Sequence, residues 1–313
     1  MATIDSFGLG WLPDVPSHKD YGPDNPEVSK LLQQTSSANL FAGAYGGGKG
    51  QSAGGRGVHA VSKSSVALAA APAPALAPAI DVRAYCSPIE DQGALGSCTA
   101  NAAAGLVEYF QKRSFGHFED ASRLFIYKAT RNLLGWTGDT GAYLRTTMET
   151  LATFGAPPER YWQYNIAKFD LEPTAFCYAF AQNYQAIKYF RLDPNGATGA
   201  QTLQNIKNFL AAGFPSMFGF PVYDEYMHLP ANGDAAFPAP QSHLYGGHAN
   251  VAVGYDDNLM IGADKGALLV RNSWGTGWGL NGYAWLSYRY VTDQLAVDWW
   301  SLIQQEWLDT GKF

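Results

Sequence analysis

The chain has 313 residues, 47% of them hydrophobic, which suits one large domain or two small ones with a substantial core. Only 15% are charged and the formal net charge is −6, so disorder, coiled coil and a nucleic-acid binder with a basic face are all disfavoured. No apolar run approaches the ~18 residues of a membrane span, and three cysteines, not spaced as zinc ligands, are too few for a disulfide framework.

The N-terminus, MATIDSFGLGWLPD, has an acid and a proline where a secretory signal would be basic and apolar. A cytoplasmic protein, or one exported by a non-classical route, is therefore expected. Phe7, Leu9, Trp11 and Leu12 are candidate anchors ahead of Pro13 and Pro16, and each proline pushes its predecessor, Leu12 or Val15, towards extended geometry. A disordered tail is the bland reading; its usual poverty in Trp and Leu sets docking beside it. Residues 43–57 hold eight glycines in fifteen positions and read as a flexible linker. Residues 67–79, built of Ala, Pro and Leu, read as a stiffer one. The expected division is an N-terminal segment, 1–80, and a main domain, 81–313. Acids and bases balance in the first, so the net charge of −6 belongs to the second.

Within the main domain, Ala103, Leu106, Val107 and Phe110 share one face of a helix over 99–112, and its small residues suit a buried, central position. Further helical patterns fall at 121–132, 143–154 and 172–184. From about 185 the pattern turns to extended runs at 185–190, 216–221, 249–255, 267–271 and 282–288. In the third, Val251, Val253 and Tyr255 alternate with smaller residues, as in a half-buried strand. Helices followed by strands predict an α+β fold.

Cys98 stands at the start of the central helix, where unpaired N–H groups and a partial positive charge favour an anion and should lower a thiol's pKa. Gln92, six residues earlier, carries an amide able to donate to an oxyanion. Taken alone, Cys98 is more readily read as a small buried hydrophobe, the commoner fate of a lone cysteine. His248 follows two glycines at the start of the alternating strand, and Asn272 ends another. A Cys–His pair needs a group to orient the second imidazole nitrogen, and Asn supplies one without charge. Trp274 is placed to cover that contact. His228 and His243 lie near His248 with no ligand partner at metal spacing and read as surface residues. Trp299, Trp300 and Trp307 read as packing.

The runs QGALGSC, GGHANVAVGYDD and VRNSWGTGWGLNGYAWL, in this order, resemble the papain-like (cathepsin-type) cysteine peptidases over nearly all of 81–313. His248 and Asn272 follow Cys98 by 150 and 174 residues. The resemblance implies two lobes, one helical and one a β-barrel, with the site in the cleft between them. It implies Cys98 as nucleophile, His248 as general base and acid, Asn272 as orienter, and Gln92 with the Cys98 N–H as oxyanion hole. It places Gly141, Ala142 and Trp274 at the substrate, a polypeptide. No cofactor, metal, nucleic acid or membrane is implied.

The chain also departs from the family. Leu95 replaces the cysteine three residues before the nucleophile, Thr99 replaces the following aromatic, and Ala142 replaces one of two glycines. Cys86 and Cys177 are left either paired or reduced. The long helical prosegment is missing. In its place residues 1–40, through Leu9, Trp11 and Leu12, are expected to lie over the cleft as an inhibitory prosegment. A catalytically silent papain-fold binding protein, and an amidase or acyl transferase on the same residues, are the alternatives.

Overall fold

The structure is a computed structural model that describes residues 7–33, 76–186 and 188–304. The linkers expected at 43–57 and over most of 67–79 lie outside the described residues, as does Trp307. The first elements are the short strand β1 (Trp11–Leu12) and the helix α1 (Pro26–Gln33), which buries Val28 and Leu31. Val15, expected to be extended ahead of Pro16, is 77% exposed.

Strand β2 (Ala79–Asp81) leads to α2 (Cys98–Phe115), in which every residue from Cys98 to Gln111 is buried. Gly116, at φ +77°, ends it in the left-handed conformation that glycine adopts without penalty. Gly105 lies mid-helix, where glycine costs about 1 kcal/mol relative to alanine. A Cβ there would come within 2.3 Å of Arg271 Nη1, so the glycine makes room for a buried guanidinium. Next come α3 (Arg123–Leu134), capped by the Ser122 hydroxyl, β3 (Ala142–Tyr143), α4 (Leu144–Thr153) and α5 (Ala175–Ala181). The helix expected at 172–184 is shorter at both ends, because Thr174 caps its first turn and the chain tightens to a 3₁₀ turn at Gln182–Tyr184.

After β4 (Lys188–Arg191) comes α6 (Gly199–Ala211), which the sequence reading passed over. Its signal was present: Thr198 and Gln201 form a reciprocal capping box, and Thr202, Ile206, Phe209 and Leu210 supply the buried side. The chain then continues through β5 (Ser216–Tyr223), α7 (Asp224–Met227), β6 (Asp234–Ala235) and β7 (Leu244–Ile261). It closes with β8 (Asp264–Arg271), β9 (Tyr283–Ser287), α8 (Arg289–Thr292) and β10 (Val297–Gln304).

Eight strands form one sheet in the order β4-β10-β5-β7-β8-β9-β6, with β2 also paired to β7. All pairs are antiparallel except β6 with β9. Residues Ala249–Tyr255 of β7 are buried without alternation, unlike the half-buried strand expected, because α2 and α6 both pack against this strand. Trp299 and Trp300 are fully buried, Trp299 stacking on Phe218 at 4.1 Å, so packing is their role. Cys86, Cys98 and Cys177 are all unpaired and buried.

Beneath α2, the Glu108 carboxylate accepts from Ser87 Oγ (2.5 Å) and the Ala121 N–H (2.9 Å). Burial pushes it up to about 7, against the pull of Arg271. Between its ordinary value of 4.5 and about 7 the folded state therefore binds the extra proton, so Glu108's contribution to stability is complete below 4.5 and lost as the pH rises through 7. The slope is at most about 1.4 kcal/mol per pH unit. Glu108→Gln should flatten the stability curve across this window in denaturant titrations at a series of pH values; parallel curves for parent and variant would contradict it.

Candidate active site

Four stretches meet at the amino end of α2. The loop leading into the helix is tied to the segment after β8 by the Gln92 N–H on Ser273 O (2.8 Å) and the Gly275 N–H on Glu90 O (2.9 Å). From the other side the Asp139 carboxylate accepts from the Gly96 N–H (3.0 Å) and the Tyr127 hydroxyl (2.5 Å). The loop is thus held by both halves of the molecule.

Cys98 is the first residue of α2 and is fully buried. The main-chain N–H groups of Ala249, Gly10, Thr99 and Cys98 itself favour its thiolate, yet burial outweighs them and pushes the thiol up to about 11. The lowered value expected from the helix terminus is therefore reversed in this covered state. The Ala249 contact sets the sulfur beside β7, next to His248.

His248 lies on β7 opposite Phe220 of β5, its ring stacked on Trp274 at 4.4 Å. Its Nε2 is 2.7 Å from Asn272 Oδ1. That oxygen also accepts from the Ser273 N–H at 2.7 Å, which identifies it as the amide's acceptor end. The imidazole must then donate through Nε2, leaving the lone pair on Nδ1, which has no hydrogen-bond partner among the described residues. Burial pushes the imidazole down to about 4, against Asn272 and Asn250, so thiol and imidazole are both neutral here.

Gln92 is oriented by the same loop. The Ser273 hydroxyl donates to its Oε1 (2.6 Å), so its Nε2 faces the other way and donates to Leu95 O (2.9 Å) and Gly8 O (3.0 Å).

Residues 7–20 cross the site. Phe7 stacks on Trp274 at 4.6 Å, and the Gly8 N–H donates to Gly93 O (2.8 Å). Leu9 packs against Gly246, and Gly10 O accepts from the Ala142 N–H (2.8 Å). Trp11 and Leu12 then pair in parallel with Ala142 and Tyr143. The Trp11 indole is buried against Gly219 and Gly247, and its Nε1 donates to Asp298 Oδ2 (3.2 Å). Leu12 is half-buried. Arg145 then ion-pairs with Asp14 (2.5 Å) and with Asp20.

The structure therefore brings together Cys98, His248, Asn272, Gln92 and Trp274, with Leu9, Trp11 and Leu12 laid along them. Ala142 meets this segment through its N–H. The Gly141 N–H donates to the Tyr127 hydroxyl (3.0 Å), and a Cβ on Gly141 would fall 2.1 Å from Gly10 O, so this glycine too lies against the segment. His228 and His243 lie apart, against Tyr245. No group of three His, Cys, Asp or Glu that could hold a metal ion occurs among the described residues. Sequence reasoning missed Ser273, which orients both amides, and Gly8 and Gly10. A Cβ on either glycine would lie 1.9 Å from the carbonyl oxygen of Leu95 or Gly96. The alternation Gly8-Leu9-Gly10-Trp11 was the available signal for a chain lying flat against another. Asp298 gave none.

The model of the papain family cysteine proteases matches residues 76–296. An uncharacterized peptidase C1-like protein of Acanthamoeba polyphaga mimivirus is 38% identical over 221 residues, 69% of this chain and 69% of the relative. Mouse cathepsin J is 25% identical over 201 residues, 64% of this chain, and the match spans only 56% of its own length. Among solved structures, xylellain, a cysteine protease from Xylella fastidiosa, superposes with a TM-score of 0.69 at 29% identity, covering 94% of this chain and 95% of that one. With the thiol at the helix start, the imidazole on the neighbouring strand and this match over the body of the chain, the protein belongs to the papain family of cysteine proteases.

Proposed function

We propose that Cys98, His248 and Asn272 hydrolyse peptide bonds, and that the chain is made latent, with its N-terminal segment in the cleft. The observation that carries this is the imidazole's orientation: Asn272 and Ser273 hold Nε2 as donor and leave Nδ1 available as a base next to the strand that borders the thiol. In the open cleft His248 Nδ1 takes the Cys98 proton, and the thiolate attacks the substrate carbonyl carbon. The oxyanion is met by Gln92 Nε2–H and the Cys98 N–H at the helix terminus. The imidazolium gives its proton to the departing amine, leaving a thioester. A water molecule, deprotonated by His248, then releases the acid and restores the thiol. Asn272 keeps the ring in one tautomer throughout, under the cover of Trp274.

A polypeptide substrate is supported by the occupant now present. Residues 8–12 lie against the site through main-chain hydrogen bonds with Gly93 and Ala142, and Gly8 O already accepts from Gln92. The same contacts support latency, since substrate cannot use donors that Gly8 and Gly10 hold.

The test compares the full chain with its Trp11→Ala variant on a peptide library, before and after a thiol-directed irreversible inhibitor. Peptide turnover that disappears in step with a mass increase on Cys98 is expected. Labelling of another residue, or binding without hydrolysis, would overturn the reading. Gln92→Ala should lower kcat by about 10²-fold, the scale of an oxyanion donor. An effect on KM alone would remove Gln92 from that role.

A further inference from the structure

We propose that Asn250, clamped by Tyr226, is a positioning residue for His248: its buried amide oxygen steadies the imidazolium while Nδ1 carries the proton taken from Cys98. The proposal rests on the peptidase reading above and adds a second support for the same ring.

The surroundings of His248 call for one. Its ring is stacked on Trp274 and lies edge-on to Phe220 at 6.1 Å, and the Tyr226 ring closes a third side at 6.5 Å. These faces are apolar, and burial among them disfavours the charged ring that the reaction needs. Asn272 answers at Nε2 alone. Asn250 follows His248 by two residues on β7, so both side chains leave the strand on the same face. It carries the one amide side chain in residues 249–255, a strand otherwise built there of Ala, Val, Gly and Tyr.

An amide in such a place is costly unless its polar atoms are used, and Asn250 is only 1% exposed. Its Nδ2 donates to the Tyr226 hydroxyl, which is itself on a fully buried residue. The Oδ1 end is left without a hydrogen-bond partner among the described residues, as is Nδ1 of His248. Both are acceptors while the ring is neutral, and two lone pairs cannot bond. A proton on Nδ1 turns it into a donor, and Asn250 already favours that protonated form, alongside Asn272 and against burial. The moment of need comes after attack. The sulfur has bonded to the carbonyl carbon, its charge has moved to the oxyanion, and the imidazolium must keep its proton until the amine departs. Of the titratable groups about the ring, Cys98 of α2 is the reaction partner. Tyr226 of α7 stays protonated, because burial raises its phenol well above 10. Phe220 of β5, and Asn272 and Trp274 after β8, bear no charge.

The test follows kcat/KM against pH in the full-length Trp11→Ala background. An Asn250→Val, Tyr226→Phe double variant removes both partners together, so no polar atom is left buried and unpaired and the fold should hold. Losing the acceptor lowers the imidazolium's pKa, so the alkaline limb, where that proton is lost, should fall by at least about 1 pH unit. The acid limb, set by the thiol, should stay in place. Tyr226→Phe alone releases the amide and should move the alkaline limb part of the way. Asn250→Asp, which keeps an oxygen acceptor there, should hold it at or above the parental value. Lost packing would lower the rate at every pH and leave both limbs where they were, which would overturn the proposal. An alkaline limb that rises in the double variant would also overturn it, since the amide would then be donating to the neutral ring. Either result leaves the peptidase reading standing. Peptide turnover absent from the Trp11→Ala parent as well would overturn both.

Discussion

Cys98→Ala is expected to lower peptide turnover by about 10⁴-fold or more, the scale on which removal of a nucleophile acts. The fold should be unaffected, because the site is walled by small groups and the thiol contributes to no disulfide. Circular dichroism and a thermal midpoint would check the second half, and progress curves with a sensitive fluorogenic peptide the first. Activity within tenfold of the parent would leave the thiol outside the chemistry. His248→Ala should approach the same loss. Asn272→Ala should cost less, because it orients the ring and transfers no proton, although the Ser273 N–H would lose the same acceptor.

In the full chain, Trp11→Ala should raise both peptide turnover and the rate of Cys98 alkylation at pH 7 by about 10²- to 10³-fold. Truncating a buried tryptophan removes about 3–5 kcal/mol of packing, here packing of the segment against the cleft. Tethering opposes the release, since a joined segment rebinds at high effective concentration, and it keeps the gain below the full value. Alkylation follows because burial holds the thiol up to about 11 and the imidazole down to about 4, and lifting residues 8–11 would readmit water to the sulfur that the Gly10 N–H now reaches. With water readmitted, the N–H groups of Ala249, Thr99 and Cys98 still favour the thiolate, and reaction should extend to lower pH. Gly10→Ala tests the same contact by steric means, its Cβ falling 1.9 Å from Gly96 O. Parental rates in both variants would show that the segment does not limit access.

The residues converging on the site were legible in the sequence wherever the chemistry forces a residue type: a thiol at a helix start, an imidazole beside glycines, an amide at a strand end. The central helix was legible too, since the small residues at its start, Ala100 and Ala102 to Gly105, suit close approach from several sides. Helix α6 was missed although its capping box was present, because it lies between two runs read as extended. Asp298 was illegible for a physical reason. Its environment is assembled from Arg191 of β4, Asp193 and Trp11 of the N-terminal segment, and a single acid between Val297 and Trp299 carries no trace of partners so distant. The thiol's raised pKa in the covered state was likewise not legible, since the helix terminus is local and burial depends on residues distant in sequence.

The separation of 287 residues between Trp11 and Asp298 has a consequence for timing. The segment is synthesised first, but the last strand of the sheet must be in place before its indole can be received. Closure therefore cannot precede completion of the fold, and bringing such distant ends together is among the slower searches a chain makes. On the proposed reading, each new molecule completes its cleft before it covers it, and latency is the last property it acquires.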